Sequence, residues 1–246
     1  MSAQTYFDRA IEALQQVAST QSERIGTAAG LVVDAIVGGK ALYAFGATHS
    51  FMIAEELVYR TGGLMLVNPI YPHGMNLSVR PIPVTSQFER VPGLGAELLG
   101  LAPVAAGDVV IVASTSGRNP VPIDLALAAT ARGAQVIGIT SMAYTQRVSS
   151  RHASGKKLVD VCTVVIDNGA PYGDAAVEVK GFAQAVGPLS SVTGCAIANA
   201  IVAETVARLV ARGYEPPVFM SANVDGGDAY NARLMRANAH RIHYLE

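Results

Sequence analysis

Three short segments rich in hydroxyl side chains and glycine are the parts of the sequence best suited to chemistry. Residues 46–50 (Gly-Ala-Thr-His-Ser) and 114–119 (Ser-Thr-Ser-Gly-Arg-Asn) each follow a short apolar run, and residues 187–194 open a long helical pattern. Small residues at the start of a helix leave backbone N–H groups open to an anion, at the positive end of the helix dipole. A phosphate there accepts several charge-assisted hydrogen bonds. The alternative is that these residues only cap helices and turn the chain, but three such segments together favour an anionic ligand.

Other ligand classes are poorly matched by the same segments. No G-x-G-x-x-G run follows the first apolar segment and no G-x-x-x-x-G-K-[ST] run occurs, which argues against dinucleotide and nucleoside-triphosphate loops. No His, Cys and Asp residues have metal-ligand spacing, so we expect no metal and no cofactor. We therefore expect a small phosphorylated metabolite, held by loops rather than by metal or arginine side chains. The candidate phosphate-binding residues are Gly46, Thr48, His49, Ser50, Ser114, Thr115, Ser116, Gly117, Asn119, Ser190 and Ser191.

Glu56 is the first candidate for acid–base chemistry. It follows His49 by seven residues, which places both on one face of a predicted helix and about 10 Å apart. That separation is comparable to the length of a small phosphorylated metabolite. A nearly buried carboxylate there could have its pKa raised toward neutrality and act as a base. The alternative is a surface ion pair with Arg60, and Glu55 points about 100° away as a weaker candidate.

Three further residues are catalytic candidates. Glu178 lies shortly before the third segment, and its alternative role is that of a solvated helix residue. His73 lies in a long polar loop and could reach a substrate, including one bound by a neighbouring subunit. His240 lies near the end of the last helix, where a charged histidine is also favourable for the helix dipole. For each histidine, His49 included, an ordinary hydrogen-bonding role competes with catalysis.

The pattern along the chain predicts a framework that would hold these residues. Short apolar runs predict five buried strands, at 41–45, 64–67, 108–113, 135–139 and 159–166. Helical periodicity covers 6–37, 49–60, 122–132, 192–212 and 228–240. This alternation predicts an α/β three-layer sandwich with a parallel five-stranded, flavodoxin-like sheet and an N-terminal helical cap. Ligands in such sheets bind beyond the carboxyl ends of the strands, where the first two segments lie.

The expected organisation is one domain over 1–246, with N-terminal helices (1–38), an α/β core (39–212) and a C-terminal helical extension (213–246). Residues 68–94 form a long loop, which is usually functional in a compact domain. Half the residues are hydrophobic and 15% are charged, so part of the exterior is expected to be a subunit interface. We expect a homodimer or tetramer with the site at that interface.

Charge and hydropathy argue against two classes of partner. The net charge is −1 without a dense basic stretch, so nucleic acid is not expected. No uninterrupted run of about 18 apolar residues predicts a membrane span, and the polar N-terminus lacks the apolar core of a signal peptide. A cytoplasmic location is therefore expected.

The two strand–loop–helix segments, GATHS and STSGRNP, make the chain resemble the SIS (sugar isomerase) domain over about 31–210. This family includes phosphoheptose isomerases, the isomerase half of glucosamine-6-phosphate synthase and N-acetylmuramic acid 6-phosphate etherases. The Ser-x-Ser-Gly loop is its most specific feature. Residues 54–57 with Arg60 are similar to the phosphoheptose isomerases, and 187–196 to the etherase glycine-serine loop. The chain is most similar to uncharacterised SIS-domain proteins with a Ser-Gly-Arg-Asn-Pro-Val-Pro run and an Asn-x-Asp-Gly-Gly segment near the C-terminus.

The resemblance implies a sugar phosphate in a dimer cleft and proton abstraction by a glutamate beside the sugar carbonyl. The base of the phosphoheptose isomerases falls on Glu56, and Glu178 loosely matches a catalytic glutamate of synthase-type relatives. The leading hypothesis is an enzyme that removes the C2 proton of an (N-acetyl)hexosamine 6-phosphate or related sugar phosphate, leading to isomerisation or to C3 elimination by a dehydratase or lyase. The alternative is a non-catalytic sugar-phosphate sensor, since SIS modules also serve as ligand-binding halves of transcription regulators. A protein that binds NAD or a nucleotide sugar is a third hypothesis.

Overall fold

The computed structural model describes residues 1–245 and contains a parallel sheet of five strands in the order β2-β1-β3-β4-β5. The strands are β1 (Leu42–Gly46), β2 (Val67–Pro69), β3 (Val109–Ala113), β4 (Gln135–Thr140) and β5 (Val164–Asp167). The helices are α1 (Ser2–Thr20), α2 (Ser22–Val37), α3 (Phe51–Leu57), α4 (Val84–Phe88), α5 (Leu94–Gly100), α6 (Pro120–Ala131), α7 (Met142–Thr145), α8 (Ser190–Ala211) and α9 (Gly227–Ala237). The parallel sheet confirms the predicted α/β fold.

Both faces of the sheet are buried, which explains the nearly continuous apolar sequence of its strands. On β1, Leu42 and Ala44 face a core shared with α2, α3 and α8, whereas Tyr43 and Phe45 face a second core shared with α5 and α6. Alternate residues therefore supply two hydrophobic layers, and the helices on the two faces complete a three-layer sandwich.

The apolar helix α8 packs against α1, α2 and α3. Its 22 residues have the length and hydropathy of a membrane span, and 39% of its most apolar window is buried within the fold. Ile197, Ile201 and Leu209 are almost fully buried in the same core as the sheet. Helices at the centre of a fold share this composition, and α8 occupies such a position.

Two strands begin later than predicted because their first residues have other partners. Leu64 forms a bridge with Val218, and the Met65 N–H donates to the Pro217 carbonyl, so the C-terminal segment pairs with the start of this run. Before β5, residues Leu158–Asp160 form a 3₁₀ helix, closed by the Asp160 carboxylate accepting from the Lys157 N–H.

The predicted helix over 49–60 is also divided. A 3₁₀ helix over Thr48–Ser50 precedes α3, which ends at Leu57. His49 and Glu56 therefore do not lie on one continuous α-helix, and the 10 Å separation expected from two α-helical turns does not apply to this pair. The long loop contains the short helix α4, which periodicity did not predict.

Substitution of Gly46 is expected to destabilise the fold, because the chain turns back on itself just after β1. A Cβ at Gly46 would lie 2.2 Å from the carbonyl oxygen of Ser50. We expect Gly46→Ala to lower the free energy of unfolding by about 1–3 kcal/mol, as overpacking does. Gly100→Ala is the control, because its Cβ would meet nothing nearer than 4.0 Å and alanine favours a helix. Thermal unfolding of both variants tests this, and equal stability would contradict it.

Candidate functional site

The first two predicted loops lie side by side at the carboxyl edge of the sheet. Gly46 at the end of β1 is in register with Ala113 at the end of β3, and the two strands are hydrogen-bonded neighbours. The loops that follow them, 47–50 and 114–119, therefore start next to each other. This is the edge at which parallel α/β sheets bind ligands.

The loop after β3 directs its carbonyl groups toward the protein and leaves its amides available. The carbonyl of Thr115 accepts from the Ser141 N–H, and those of Gly117 and Arg118 accept from the N–H groups of Leu158 (2.8 Å) and Arg151 (2.9 Å). The Ser116 carbonyl accepts from the Thr145 hydroxyl. Within residues 1–245, the N–H groups of residues 115–118 have no backbone acceptor. Fixed donors of this kind form an anion-binding concavity without rearrangement.

Gly117 is required for this conformation. Its φ of +61° lies in the left-handed region, and a Cβ would lie 3.0 Å from the Thr140 hydroxyl oxygen. Any other residue would be strained and would press on the side chain that supports the loop from behind. Steric constraints therefore explain why glycine occupies the last position of the Ser-Thr-Ser-Gly run.

The N-terminus of α6 contributes fewer donors than the sequence argument assumed. Pro120 and Pro122 have no N–H, and the Val121 N–H donates to the carbonyl of Glu89 at 3.3 Å. The side chain of the N-cap residue, Asn119, accepts from Arg151 rather than capping the helix. An anion at this edge therefore depends on the loop amides and on neighbouring side chains.

The loop after β1 borders a cavity of about 300 Å³. Thr48 has a φ of +54°, and its N–H donates to the Met75 carbonyl of the long loop. The cavity is lined by Thr48, Phe51, Met52, Glu55, Tyr71, Asn76, Leu77 and Ser78. Hydroxyl, amide and carboxylate groups thus converge on it, and Glu55 faces this cavity although the sequence favoured Glu56.

In the third predicted loop, a carboxylate of the protein itself accepts the hydrogen bonds that an external anion would accept. The carboxylate of Asp174 accepts from the N–H groups of Leu189 (3.1 Å) and Ser190 (2.9 Å), and also from the Ser190 hydroxyl. Asp174 thereby caps the N-terminus of α8, as an external anion would. Ser191 follows on the first turn and remains a candidate ligand residue. Asp174 lies 15 and 16 residues before its partners Leu189 and Ser190, so no local pattern indicates this capping role.

The carboxylate of Glu56 is held between two side chains. Asn199 of α8 donates to its Oε1 atom at 2.6 Å, and Arg60 forms an ion pair with the same atom. The ion pair matches the alternative considered for this residue. Asn199 had no signature in the sequence, because only the packing of α3 against α8 brings it to Glu56.

The remaining catalytic candidates occupy different places. His73 is exposed on the long loop, with its ring 6.5 Å from that of Tyr71, which lines the cavity beside Thr48. Glu178 is exposed in an irregular segment, not on a helix, and borders a cleft with α1.

His240 is not brought to the loop edge within one chain. Its neighbour Arg241 donates to the carbonyls of Ile36 and Lys40, which lie at the amino end of β1. Within one subunit the C-terminal segment packs at the amino end of β1, so a role for His240 at the loops stays a prediction that involves a partner subunit.

A family model and several relatives match most of the chain. The SIS domain family model matches residues 5–141. A UPF0309 protein of Shouchella clausii is 47% identical over 240 residues and covers 98% of each chain, and one of Oceanobacillus iheyensis is 40% identical over 98% of each chain. The chain belongs to the SIS-domain family. This confirms the resemblance seen in the two loops.

Solved structures confirm the SIS fold. Phosphoheptose isomerase GmhA from Neisseria gonorrhoeae aligns with a TM-score of 0.55 at 15% identity, over 83% of this chain and 97% of that one. The Vibrio vulnificus NanR protein complexed with ManNAc-6P aligns with a TM-score of 0.52 at 14% identity, over 96% of this chain and 69% of that one. At these identities the likeness concerns architecture.

Removal of the Asp174 carboxylate is expected to destabilise the SIS domain and to create an anion site. Asp174→Ala leaves the N-terminus of α8 uncapped, at a cost of about 1–3 kcal/mol in the free energy of unfolding. Added inorganic phosphate should recover part of this loss, beyond its effect on the unsubstituted protein, as measured by chemical denaturation. Asp160→Ala, which removes the cap of a 3₁₀ helix, is the control and should show no extra recovery. Equal phosphate effects in both variants would contradict the capping argument.

The thiol of Cys195 is expected to report the charge of Glu56. Burial, and then the Glu56 charge, raise the pKa of Cys195. Glu56→Gln should therefore lower this pKa and accelerate alkylation of Cys195 at mildly alkaline pH, followed by peptide mass spectrometry. Cys162 is the internal control, because burial raises its pKa to about 12. An unchanged Cys195 rate would show that Glu56 does not act on this thiol.

Proposed function

We propose that the protein binds a sugar phosphate at the carboxyl edge of its sheet and removes the C2 proton of the open-chain sugar. The favoured substrates are (N-acetyl)hexosamine 6-phosphates. Reprotonation at C1 completes an isomerisation, whereas loss of a C3 substituent completes an elimination. The observation that carries the proposal is the loop of residues 115–118 in a chain of the SIS family. Its carbonyls accept hydrogen bonds from the protein, and its N–H groups have no backbone acceptor among residues 1–245.

The proposed phosphate site uses the loop amides and the hydroxyls of Ser114, Thr115 and Ser116. Amides fixed by hydrogen bonds behind them need no reorganisation when the anion arrives, so little of the binding free energy is lost to ordering. Thr48 and Ser50, on the neighbouring loop after β1, would contact the sugar or the phosphate from the other side. Ser191 at the start of α8 is the candidate that remains in the third segment.

The proposed base is Glu56. The ion pair with Arg60 and the hydrogen bond from Asn199 fix the orientation of its carboxylate. Glu55 is the competing carboxylate, because it lines the cavity beside Thr48. His73 is proposed as the group that opens the ring, and Glu178 and a partner subunit's copy of the C-terminal segment stay as further candidates. A subunit interface at the site, in a homodimer or tetramer, is part of this proposal.

A non-catalytic sensor is the second candidate function. The observation in its favour is that Glu56 is engaged by two side chains of the same chain, as an ordinary structural carboxylate would be. A sensor would bind the same phosphorylated sugars without exchanging the C2 proton. Binding and exchange therefore separate the two functions.

Hydrogen exchange at C2 is the decisive measurement. The purified protein in D₂O is expected to introduce deuterium at C2 of N-acetylglucosamine 6-phosphate, detected by NMR. Glu56→Gln is expected to reduce the exchange rate by about 10²–10⁴-fold while ligand binding persists in a thermal-shift assay. Glu97→Gln, on the exposed surface of α5, is the matched control and should exchange normally.

The same series compares the alternatives. Loss of exchange in Glu55→Gln but not in Glu56→Gln would move the base to Glu55. Binding of hexosamine phosphates without any exchange would reject the enzyme in favour of the sensor. If no hexosamine phosphate stabilises the protein in the thermal-shift assay, both functions are rejected.

A further inference from the structure

Two arginines, Arg118 and Arg151, lie beside Asn119 at the start of α6, and the charge of a third, Arg90, acts on Arg151. The backbone N–H of Arg151 donates to the Arg118 carbonyl, and its Nη1 atom donates to Oδ1 of Asn119 at 3.0 Å. Arg90 directly follows Glu89, whose carbonyl accepts a hydrogen bond from the first turn of α6. The three arginines come from separate segments, so only the fold brings Arg90 and Arg151 close to Arg118 in the loop of residues 115–118.

These guanidinium groups have no carboxylate partners in the part of the chain that the structure describes. Arg118 donates to the Ser149 hydroxyl at 3.3 Å, and its Nε atom is buried without an acceptor. Burial, followed by the charges of Arg118 and Arg90, lowers the pKa of Arg151. Crowded cations without a counter-ion are costly, and a bound anion removes that cost.

The acidic groups nearby do not neutralise the cluster. Glu89 is one carboxylate against three guanidinium groups, and burial raises its pKa despite the Asn119 side chain and the charges of Arg90 and Arg151.

Asp124, one turn into α6, interacts with groups other than the three arginines. Its two carboxylate oxygens accept from the Gly93 N–H at 2.7 Å and meet the His152 ring at 2.9 Å. An excess of positive charge therefore remains at the N-terminus of α6, where the two prolines have removed backbone donors.

We propose that Arg90, Arg118 and Arg151 complete the phosphate site begun by the loop of residues 115–118. Guanidinium groups bind phosphate oxygens in a bidentate manner, which replaces the donors that α6 lacks. The inference rests on the proposed function for the identity of the ligand, and on the cluster itself for the anion. It also corrects the expectation that the phosphate is held without arginines.

Calorimetric titration of the full chain at low ionic strength tests the proposal with two probes, inorganic phosphate and N-acetylglucosamine 6-phosphate. Arg118→Gln and Arg151→Gln are each expected to weaken binding of both probes about tenfold or more. Arg147→Gln is the control. Arg147 lies shortly before Arg151 in the chain, but its guanidinium lies over the Tyr172 ring. This control should bind as the unsubstituted protein does.

Glu89→Gln is expected to strengthen phosphate binding rather than weaken it. A variant that fails to fold could not give this result. Removing this negative charge from the cluster should tighten phosphate binding about threefold, and added salt should reduce the gain. This variant keeps the proposal testable even if an arginine variant fails to fold.

The binding results distinguish failure of the arginine subsite from failure of the proposed function. Phosphate binding that depends on the arginines, without binding of the sugar phosphate, would support the subsite and reject the sugar-phosphate function. Sugar-phosphate binding that both arginine variants retain in full would leave the function standing and overturn the subsite. Unchanged or weaker phosphate binding in Glu89→Gln would also overturn it.

Discussion

The hydrogen bonds behind the loop after β3 are the interaction on which the rest of the site depends. Four consecutive carbonyls, from Thr115 to Arg118, are engaged by groups that follow β4 or precede β5. Because each peptide unit has its carbonyl and N–H on opposite sides, fixing the carbonyls of residues 115–118 inward orients the N–H groups of residues 116–119 outward. The sheet order places β4 beside β3 and so supplies these partners. The loop is therefore a product of the sheet rather than of its own residues alone.

Charge at the edge of the sheet is distributed differently from the simple picture of three helix N-termini. One terminus, that of α8, is satisfied by Asp174, and that of α6 is depleted of donors by two prolines. The positive charge that remains comes from side chains, above all from arginines that no short motif unites. The electrostatics of the edge thus follow from tertiary structure, whereas its shape follows from local sequence.

The sequence was sufficient for the fold and for the two principal loops. The short apolar runs and the Ser-Thr-Ser-Gly segment are local patterns, and strands β1 and β3 lie near the positions that these runs predict. What could not be predicted involves residues far apart in the chain. Leu64 pairs with Val218 instead of joining β2. The Glu56 carboxylate accepts a hydrogen bond from Asn199, 143 residues away in the chain. Local patterns contain no information about such pairs, so the bounds of β2 and the surroundings of Glu56 required the structure.

The steric constraint at Gly117 has an evolutionary consequence. Since the donors at Gly117 and its neighbours in the loop belong to the main chain, this part of the anion-binding surface is kept as long as the backbone conformation is kept. Selection is then expected to act most strongly on the glycine and on the supporting shell, including the Thr140 hydroxyl that stands 3.0 Å from where a Cβ would project. New substrate preferences could evolve here by exchanging side chains on an unaltered backbone.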